Sequence, residues 1–193
     1  VGPFTRRLMN CAEGDYLGIR GPFGNGFSAN PGGLLVGGGM GIAPLRHLAR
    51  LMDRQDMEHT VVLGAASKQE IIFANKFATS MCHFATEDGS LGVKGLVTGP
   101  ARAVLEQGGI DCIYACGPEG MLVALRDLAE EYDVDYQFAM ERYMKCGIGL
   151  CGSCCLDGPG SRVCVEGPVF NRSQIARITE FGLPHRGPTG ART

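Results

Sequence analysis

The sequence predicts an α/β protein with a doubly wound, five-stranded parallel sheet. Short apolar runs alternate along the chain with amphipathic stretches of helical period, which is typical of parallel strands joined by crossover helices. Glycine-rich or polar turns follow the predicted strands, and sheets of this kind bind ligands at the carboxyl ends of their strands. The predicted strands cover residues 33–36, 59–66, 82–86, 111–116 and 135–140.

The composition is that of an ordinary globular protein. Of 193 residues, 45% are hydrophobic and 20% are charged. A formal net charge of −2 predicts no general affinity for nucleic acid or an anionic membrane. No apolar run approaches the roughly 18 residues of a membrane span. The nine cysteines are odd in number and crowded toward one end, which favours metal binding over a disulfide framework and predicts a reducing, cytoplasmic compartment.

Residues 1–31 are predicted to be the end of a β-rich unit. Residues 15–20 partly alternate between polar and apolar side chains, as a strand does, and run into a turn-rich loop at 21–27. About two dozen residues cannot close a barrel or bury a sheet face. A partner surface or further polypeptide is therefore expected to complete them.

A glycine-rich turn at residues 37–41 joins the first core strand to an amphipathic helix. Leu45, Leu48 and Met52 share one face of this helix, and Pro44 suits its first turn. In this context a nucleotide phosphate meets the free amides of a helix N-terminus. The pattern G-G-G-x-G-x-x-P differs from the usual G-x-G-x-x-G, and a tight connection without a ligand is the alternative. Four glycines in five positions exceed the need of a turn, which favours nucleotide binding by Gly38, Gly39 and Gly41.

Further candidate residues follow the other strands, with helices predicted at 69–81, 101–107 and 118–132. Ser67 and Lys68 lie where a ribose or its 2′-phosphate would sit, although a solvated loop is the plainer interpretation. Asp88 follows the third strand. Cys116, the candidate catalytic residue, ends the fourth strand, as either a ligand-facing group or a small buried hydrophobe. The nucleotide-binding unit is predicted to span residues 32–139.

The cysteines near the C-terminus predict a [2Fe-2S] cluster. Cys146, Cys151 and Cys154 have C-x4-C-x2-C spacing, and Cys164 supplies the distal fourth ligand of the plant-type pattern. The glycines between them permit a tight loop and leave amides free to face the sulfurs. Zinc, which usually shows two C-x2-C pairs, and a coincidence of buried cysteines are the alternatives. Cys155 is left out because adjacent residues rarely ligate together. The cluster domain is predicted at 140–171 and an irregular tail at 172–193, frayed from 186 onward.

These motifs together resemble the ferredoxin–NADP reductase superfamily and, within it, the electron transfer subunits of type B dihydroorotate dehydrogenase. The resemblance covers roughly residues 1–171, and the combination of reductase motifs with a C-terminal cysteine loop is its specific feature. The matching positions are Gly2, Thr5, Leu8, residues 14–15, 21–27, 37–44, 86–90, 94–95, 116–118, Met121, residues 140–141, the cysteine loop and residues 164–170.

The resemblance implies an electron relay with three cofactors and a partner. An N-terminal barrel would hold FAD, the parallel-sheet domain would bind NAD(P)H, and the [2Fe-2S] cluster would pass electrons to FMN in a catalytic subunit of pyrimidine synthesis, which makes a hetero-oligomer. Carried over by position, Gly2 and Thr5 would approach the FAD diphosphate. Gly38, Gly39 and Gly41 would cradle the NAD(P) phosphates, Cys116, Gly117 and Pro118 would border the nicotinamide, and Cys146, Cys151, Cys154 and Cys164 would hold the cluster.

One part of the family pattern is absent. Its R-x-Y-[ST] motif, which anchors FAD, has no counterpart, because Arg6-Arg7-Leu8 does not fit. Either the chain is a fragment or the barrel was lost, so FAD binding by this chain stays open. NADH is favoured over NADPH because no arginine stands beside Lys68. The alternatives are a related subunit of NADH-dependent ferredoxin:NADP oxidoreductase or of a cytoplasmic hydrogenase, a non-catalytic nucleotide- and metal-binding regulatory module, and a zinc-stabilised structural domain.

Overall fold

The computed structural model describes residues 2–77, 81–187 and 189–191 and contains a seven-stranded sheet. Its strands are β1 (Gly33–Gly38), β2 (His59–Ala65), β3 (Cys82–Thr86), β4 (Val93–Lys94), β5 (Cys112–Cys116), β6 (Asp135–Ala139) and β7 (Val169–Asn171). They stand in the order β4-β3-β2-β1-β5-β6-β7. The helices are α1 (Pro3–Met9), α2 (Ile42–Arg54), α3 (Thr98–Gln107), α4 (Glu119–Glu131) and α5 (Arg172–Ile175).

All five predicted strands form, and they pair with one another in parallel. The prediction of five strands was wrong in its count, because two short strands extend the sheet. β4 pairs in parallel with β3, and β7 pairs antiparallel with β6. Strands of two and three residues are too short to show periodicity, so only tertiary pairing reveals them.

Helices cover both faces of the sheet, as the doubly wound prediction requires. Successive side chains of a strand point to opposite faces. Leu34 therefore shares a core with α3 and α4, whereas Leu35 shares the opposite core with α2. The predicted apolar face of α2 is confirmed, since Leu45, Leu48 and Met52 are buried.

A short helix was predicted within residues 69–81, and no α-helix forms among the described residues of this range. Two short 3-10 turns, Lys68–Glu70 and Ala74–Lys76, take its place, and residues 78–80 lie outside the described ranges. Phe73 adopts a left-handed conformation with φ of 58°, which no α-helix can continue. Within the described ranges, no helix is both long and apolar enough to cross a membrane.

The N-terminal residues also differ from the prediction. In residues 2–31 the structure has the helix α1 and no strand at 15–20; its one β contact there is an isolated bridge between Asn25 and Pro168. α1 buries no side chain, and most of residues 2–31 are exposed. A weakly alternating segment becomes a strand only when a neighbouring strand pairs with it, and residues 15–20 have no such neighbour.

The first part of the segment predicted as an irregular tail, residues 172–181, packs on the core, whereas residues 188, 192 and 193 of that tail lie outside the described ranges. β7 leads into α5, whose first turn is capped by Asn171. Ile175, Ile178 and Phe181 are buried in the same core as α3 and α4. The Phe181 ring lies 6.5 Å from that of Phe138 in β6. Three apolar residues spaced by three along a polar segment are the signal that the sequence analysis missed.

Candidate functional site

A groove runs along the carboxyl edge of the sheet. Parallel pairing places the ends of β1, β2 and β5 side by side, with Gly38 opposite Gly64 and Gly37 opposite Cys116. From β1 the sheet grows through β2 to one edge and through β5 to the other, so the strand order reverses at β1. Doubly wound sheets bind ligands at such a switch point. Two cavities of about 310 and 430 Å³ meet here and share Gly38, Gly39 and Pro118. We call the first, which Cys116 lines, the inner cavity, and the second, which Glu70 and Glu87 line, the outer cavity.

Close packing within the protein requires two glycines of the turn, and a third glycine borders open space. A Cβ on Gly41 would overlap the carbonyl group of Cys116, and a Cβ on Gly38 would lie 2.7 Å from the sulfur of Met121. Gly39 has φ of +54° and open space beside it. No side chain caps the N-terminus of α2, and its first turn holds no acidic residue. The Ile42 amide already donates to the carbonyl of Gly39, and Pro44 has no N–H, so only part of this helix N-terminus is open to an anion in the groove.

Cys116 lies at the inner cavity as a neutral thiol. It is buried, and burial raises its pKa to about 11, with the nearby charge of Glu141 as a smaller cause. Gly117 and Pro118 line the same cavity. At neutral pH this thiol is neither a nucleophile nor a base, so its contribution here is shape and an apolar surface beside a ligand.

Ser67, Lys68 and Asp88 lie at the predicted edge, but they build turns and do not line either cavity. The Ser67 hydroxyl donates to Glu70, and the Lys68 amide donates to the Ser90 hydroxyl. Asp88 accepts from the hydroxyl and amide of Ser90, which lowers the pKa of its carboxyl group.

Two carboxylates that the sequence analysis passed over lie at the outer cavity instead. Glu70 and Glu87 both line it. Glu87 follows β3 directly and Asp88 comes one residue later; at this strand end Glu87 lines the outer cavity and Asp88 does not. Both residues lie in the turn beyond β3, so strand periodicity does not distinguish them.

Gly2 and Thr5, which were predicted to approach FAD, lie outside the groove. Gly2 precedes α1 and Thr5 belongs to it; both are exposed, and neither lines the groove. These two residues by themselves therefore form no enclosed flavin site.

The cysteine loop places four cysteines in two pairs, one joined by an amide–sulfur contact and one by a contact between the two sulfurs. The Cys151 amide donates to the sulfur of Cys146 at 3.4 Å, and the sulfurs of Cys154 and Cys164 lie 3.4 Å apart. Two thiolates on one tetrahedral metal ion, with bonds of about 2.3 Å, stand about 3.8 Å apart. Within the described ranges, no group of three His, Cys, Asp or Glu side chains is placed to hold one metal ion. Two pairs, in contrast, match a centre whose two irons each take two cysteines.

Backbone amides and two arginines surround this loop. Hydrogen bonds from backbone amides lower the pKa of the Cys146 thiol to about 6. The amide of Ile148 has the largest effect, followed by that of Cys151. Arg20 donates to the carbonyl of Cys146 at 2.9 Å, and Arg162 donates to that of Gly149 at 2.9 Å. Donors and positive charge of this kind favour an anionic cluster. Cys155 stands apart, half-buried, with its thiol pKa raised by burial.

A buried ion network lies between the groove and the loop. Arg142, which precedes the loop, donates to Glu119 at the start of α4 and to Glu180 in the C-terminal segment, each at 2.8 Å. The side chains of Arg142 and Glu180 are each 2% exposed. Glu119 also accepts from the amide of Gly182 and faces His185 at 3.7 Å. The network thus joins three stretches that are distant in sequence.

Comparisons with known proteins identify the family. The model for the iron-sulfur cluster binding domain of dihydroorotate dehydrogenase B matches residues 141–176. A relative from Methanocaldococcus jannaschii, named as a probable dihydroorotate dehydrogenase B (NAD(+)) electron transfer subunit, is 42% identical over 194 residues, which cover 98% of this chain and 75% of the relative. The chain belongs to this family of electron transfer subunits. A second such subunit, from Methanothermobacter thermautotrophicus, is 42% identical and covers 100% of this chain and 73% of the relative.

Solved structures agree with this family assignment. NADH-dependent reduced ferredoxin-NADP oxidoreductase superposes with a TM-score of 0.76 at 32% identity, covering 94% of this chain and 70% of that chain. The cytochrome b5 reductase domain of Ulva prolifera nitrate reductase, at 18% identity and a TM-score of 0.57, shares the fold alone, over 68% of this chain and 60% of that one. The predicted resemblance to dihydroorotate dehydrogenase B electron transfer subunits is therefore confirmed, as are an oxidoreductase role and an iron–sulfur binding domain.

Proposed function

We propose that this chain carries electrons from NADH through a flavin to a [2Fe-2S] cluster and on to the catalytic subunit of a dihydroorotate dehydrogenase. The observation that carries the proposal is the pairing of the loop cysteines in a chain that also has a groove suited to a dinucleotide. Cys146 meets Cys151 through an amide–sulfur contact, and Cys154 meets Cys164 through the two sulfurs. Nicotinamide supplies two electrons as hydride, a flavin accepts them together and releases them singly, and the cluster takes one at a time.

The residues of the chain bind and position these groups. The amides at the start of α2 hold the dinucleotide phosphates, and the inner cavity takes the nicotinamide beside Cys116 and Pro118. Because its thiol is neutral, Cys116 places no negative charge beside the nicotinamide that would stabilise the positive ring of NAD⁺ relative to NADH. The loop amides and arginines stabilise the negative charge of the cluster.

The flavin belongs to an interface that the described residues share with other polypeptide. Gly2 and Thr5 are exposed and enclose no cavity. α1 exposes three apolar side chains, those of Phe4, Leu8 and Met9. Exposed apolar residues of this kind are typical of a surface that binds another polypeptide. The nine cysteines, all in described positions, form no disulfide, which supports a cytoplasmic location.

Glu87→Gln is expected to weaken the preference for NADH over NADPH about tenfold. The outer cavity takes the adenosine half, and a carboxylate there accepts from ribose hydroxyls while it repels a 2′-phosphate. The measurement is the ratio of the dissociation constants of NADPH and NADH. Glu58→Gln, which changes an exposed carboxylate at the opposite edge of the sheet, is the control. An unchanged ratio in the Glu87 variant would show that Glu87 does not face the ribose.

The first experiment on the proposed function is a visible spectrum of the anaerobically purified protein with iron, sulfide and flavin analysis. Bands typical of a [2Fe-2S] cluster, with about two irons and two sulfides per chain, are expected. Addition of NADH together with FAD is expected to bleach these bands. A colourless protein that holds zinc, or a cluster that NADH with flavin never reduces, contradicts the relay.

A second candidate function differs only in the electron acceptor. The structural likeness to NADH-dependent reduced ferredoxin-NADP oxidoreductase, at 32% identity, favours a ferredoxin or a related subunit as the partner. Rates of NADH oxidation with a dihydroorotate dehydrogenase catalytic subunit and with ferredoxin decide between the two, because only the true acceptor sustains turnover.

A further inference from the structure

We propose that His185 is a nucleotide-binding residue, which the C-terminal segment, residues 176–187, places at the inner cavity. The proposal rests on the proposed function in one respect, namely that the groove holds NAD(H). The C-terminal segment carries no recognisable motif, and its local sequence pattern predicts only an irregular tail.

The position of His185 is the first observation. Its side chain lines the inner cavity together with Gly39, Cys116 and Pro118. About 69 residues of chain separate Cys116 from His185, yet both border the same space of about 310 Å³. The C-terminal segment therefore forms one wall of the cavity in which we place the nicotinamide half of the dinucleotide.

Charge is the second observation. The charged side chains that line the two cavities include four carboxylates, Glu70, Glu87, Glu119 and Glu141, and among the described residues His185 is the one basic side chain there. A dinucleotide brings two negatively charged phosphates into this groove. The amides of α2 supply neutral donors, whereas His185 supplies a donor that can also carry positive charge.

The orientation of the imidazole fits this role. Its Nδ1 faces a carboxylate oxygen of Glu119 at 3.7 Å, so Nε2, on the other side of the ring, is the nitrogen for a ligand. Arg142 already neutralises Glu119 through two contacts, at 2.8 and 3.3 Å. The side chain of His185 is 38% exposed, which leaves it reachable from the groove.

Anchors on both sides of His185 hold the segment in place. Glu180 is bound by Arg142 at 2.8 Å, and the Gly182 amide donates to Glu119 at 2.9 Å. On the other side, Arg186 pairs with Asp157 at 2.8 Å. A side chain fixed before the ligand arrives loses little conformational entropy on binding, so its hydrogen bond adds directly to affinity.

The test is NADH binding to the full chain, followed by the fluorescence of bound NADH. His185→Ala is expected to raise the dissociation constant about tenfold, the size of effect typical of one hydrogen bond to a charged group. His185→Gln, which keeps a donor, is expected to restore part of the affinity. His47→Ala, an exposed histidine on α2 that does not line the groove, is the matched control and is expected to bind as the wild type does.

Binding of the two halves of the dinucleotide separates a direct contact from a structural effect. His185→Ala should weaken nicotinamide mononucleotide and leave AMP, the occupant of the outer cavity, unaffected. Equal weakening of both halves would mean that the variant disturbs the whole groove, which overturns the direct contact. NADH affinity unchanged by His185→Ala overturns this inference alone, whereas a wild-type chain that does not bind NADH overturns the proposed function and the inference with it.

Discussion

Cys154→Ser is expected to lose the iron–sulfur cluster, and Cys155→Ser is expected to keep it. Cys154 is buried, and its sulfur lies 3.4 Å from that of Cys164, whereas Cys155 is half-buried and belongs to neither thiol pair. The two cysteines are neighbours in the chain, so each variant controls for the effect of the other on the local backbone. Iron per chain should fall from about two to near zero in the first variant and stay at about two in the second.

The visible spectrum and iron content of both variants, purified in parallel without oxygen, give the answer. Cluster loss in the Cys155 variant, with retention in the Cys154 variant, would reverse the ligand assignment. Loss in both would show that the loop tolerates no substitution there, and the assignment of Cys154 in preference to Cys155 would fail.

Arg142→Ala is expected to lower the free energy of unfolding by about 3–5 kcal/mol. The substitution leaves the carboxylates of Glu180, 2% exposed, and Glu119, 20% exposed, without their cation. An uncompensated buried charge is costly, because the protein interior solvates it far less well than water does. Chemical unfolding followed by circular dichroism, on samples of equal iron content, measures the loss.

Arg172→Ala provides the matched comparison for Arg142. Arg172 also pairs with two carboxylates, Glu130 and Asp133, but it lies at the surface with a side chain that is 32% exposed. Exposed ion pairs contribute little to stability because solvent screens them, so this variant should be nearly as stable as the wild type. Similar losses in the two variants would show that burial of the Arg142 network does not govern its contribution.

Local pattern was enough to predict the central sheet. The five inner strands are short apolar or partly alternating segments bounded by turn residues, and each was predicted because such a pattern is contained within its own few residues. The helix predicted at 69–81 failed for a local reason that sequence does not display, the left-handed conformation of Phe73. The strand predicted at 15–20 failed because its alternation was weak and no partner strand pairs with it.

The residues of the site likewise divide into those that local sequence predicts and those that only the structure reveals. Spacing alone predicted the four loop cysteines as ligands, and glycine content alone predicted the turn before α2 as a binding turn, because short loops that wrap a ligand must carry their chemistry within a few residues. The predicted Ser67, Lys68 and Asp88 came from the correct strand ends, yet they build turns while Glu70 and Glu87 line the outer cavity. Which of several neighbouring side chains faces a groove depends on the local course of the backbone beyond the strand.

By itself, the sequence determined the α/β class, the order of the inner strands along the chain, the family and the cysteine spacing of the cluster loop. Only the tertiary structure decided the two edge strands, the docking of Ile175, Ile178 and Phe181, the Arg142 network and the arrival of His185 at the inner cavity. The physical reason is that the residues that form these features are far apart along the sequence. Periodicity and spacing report interactions within a turn or a strand, whereas an ion network or a cavity wall forms between segments whose proximity follows only from the packed fold.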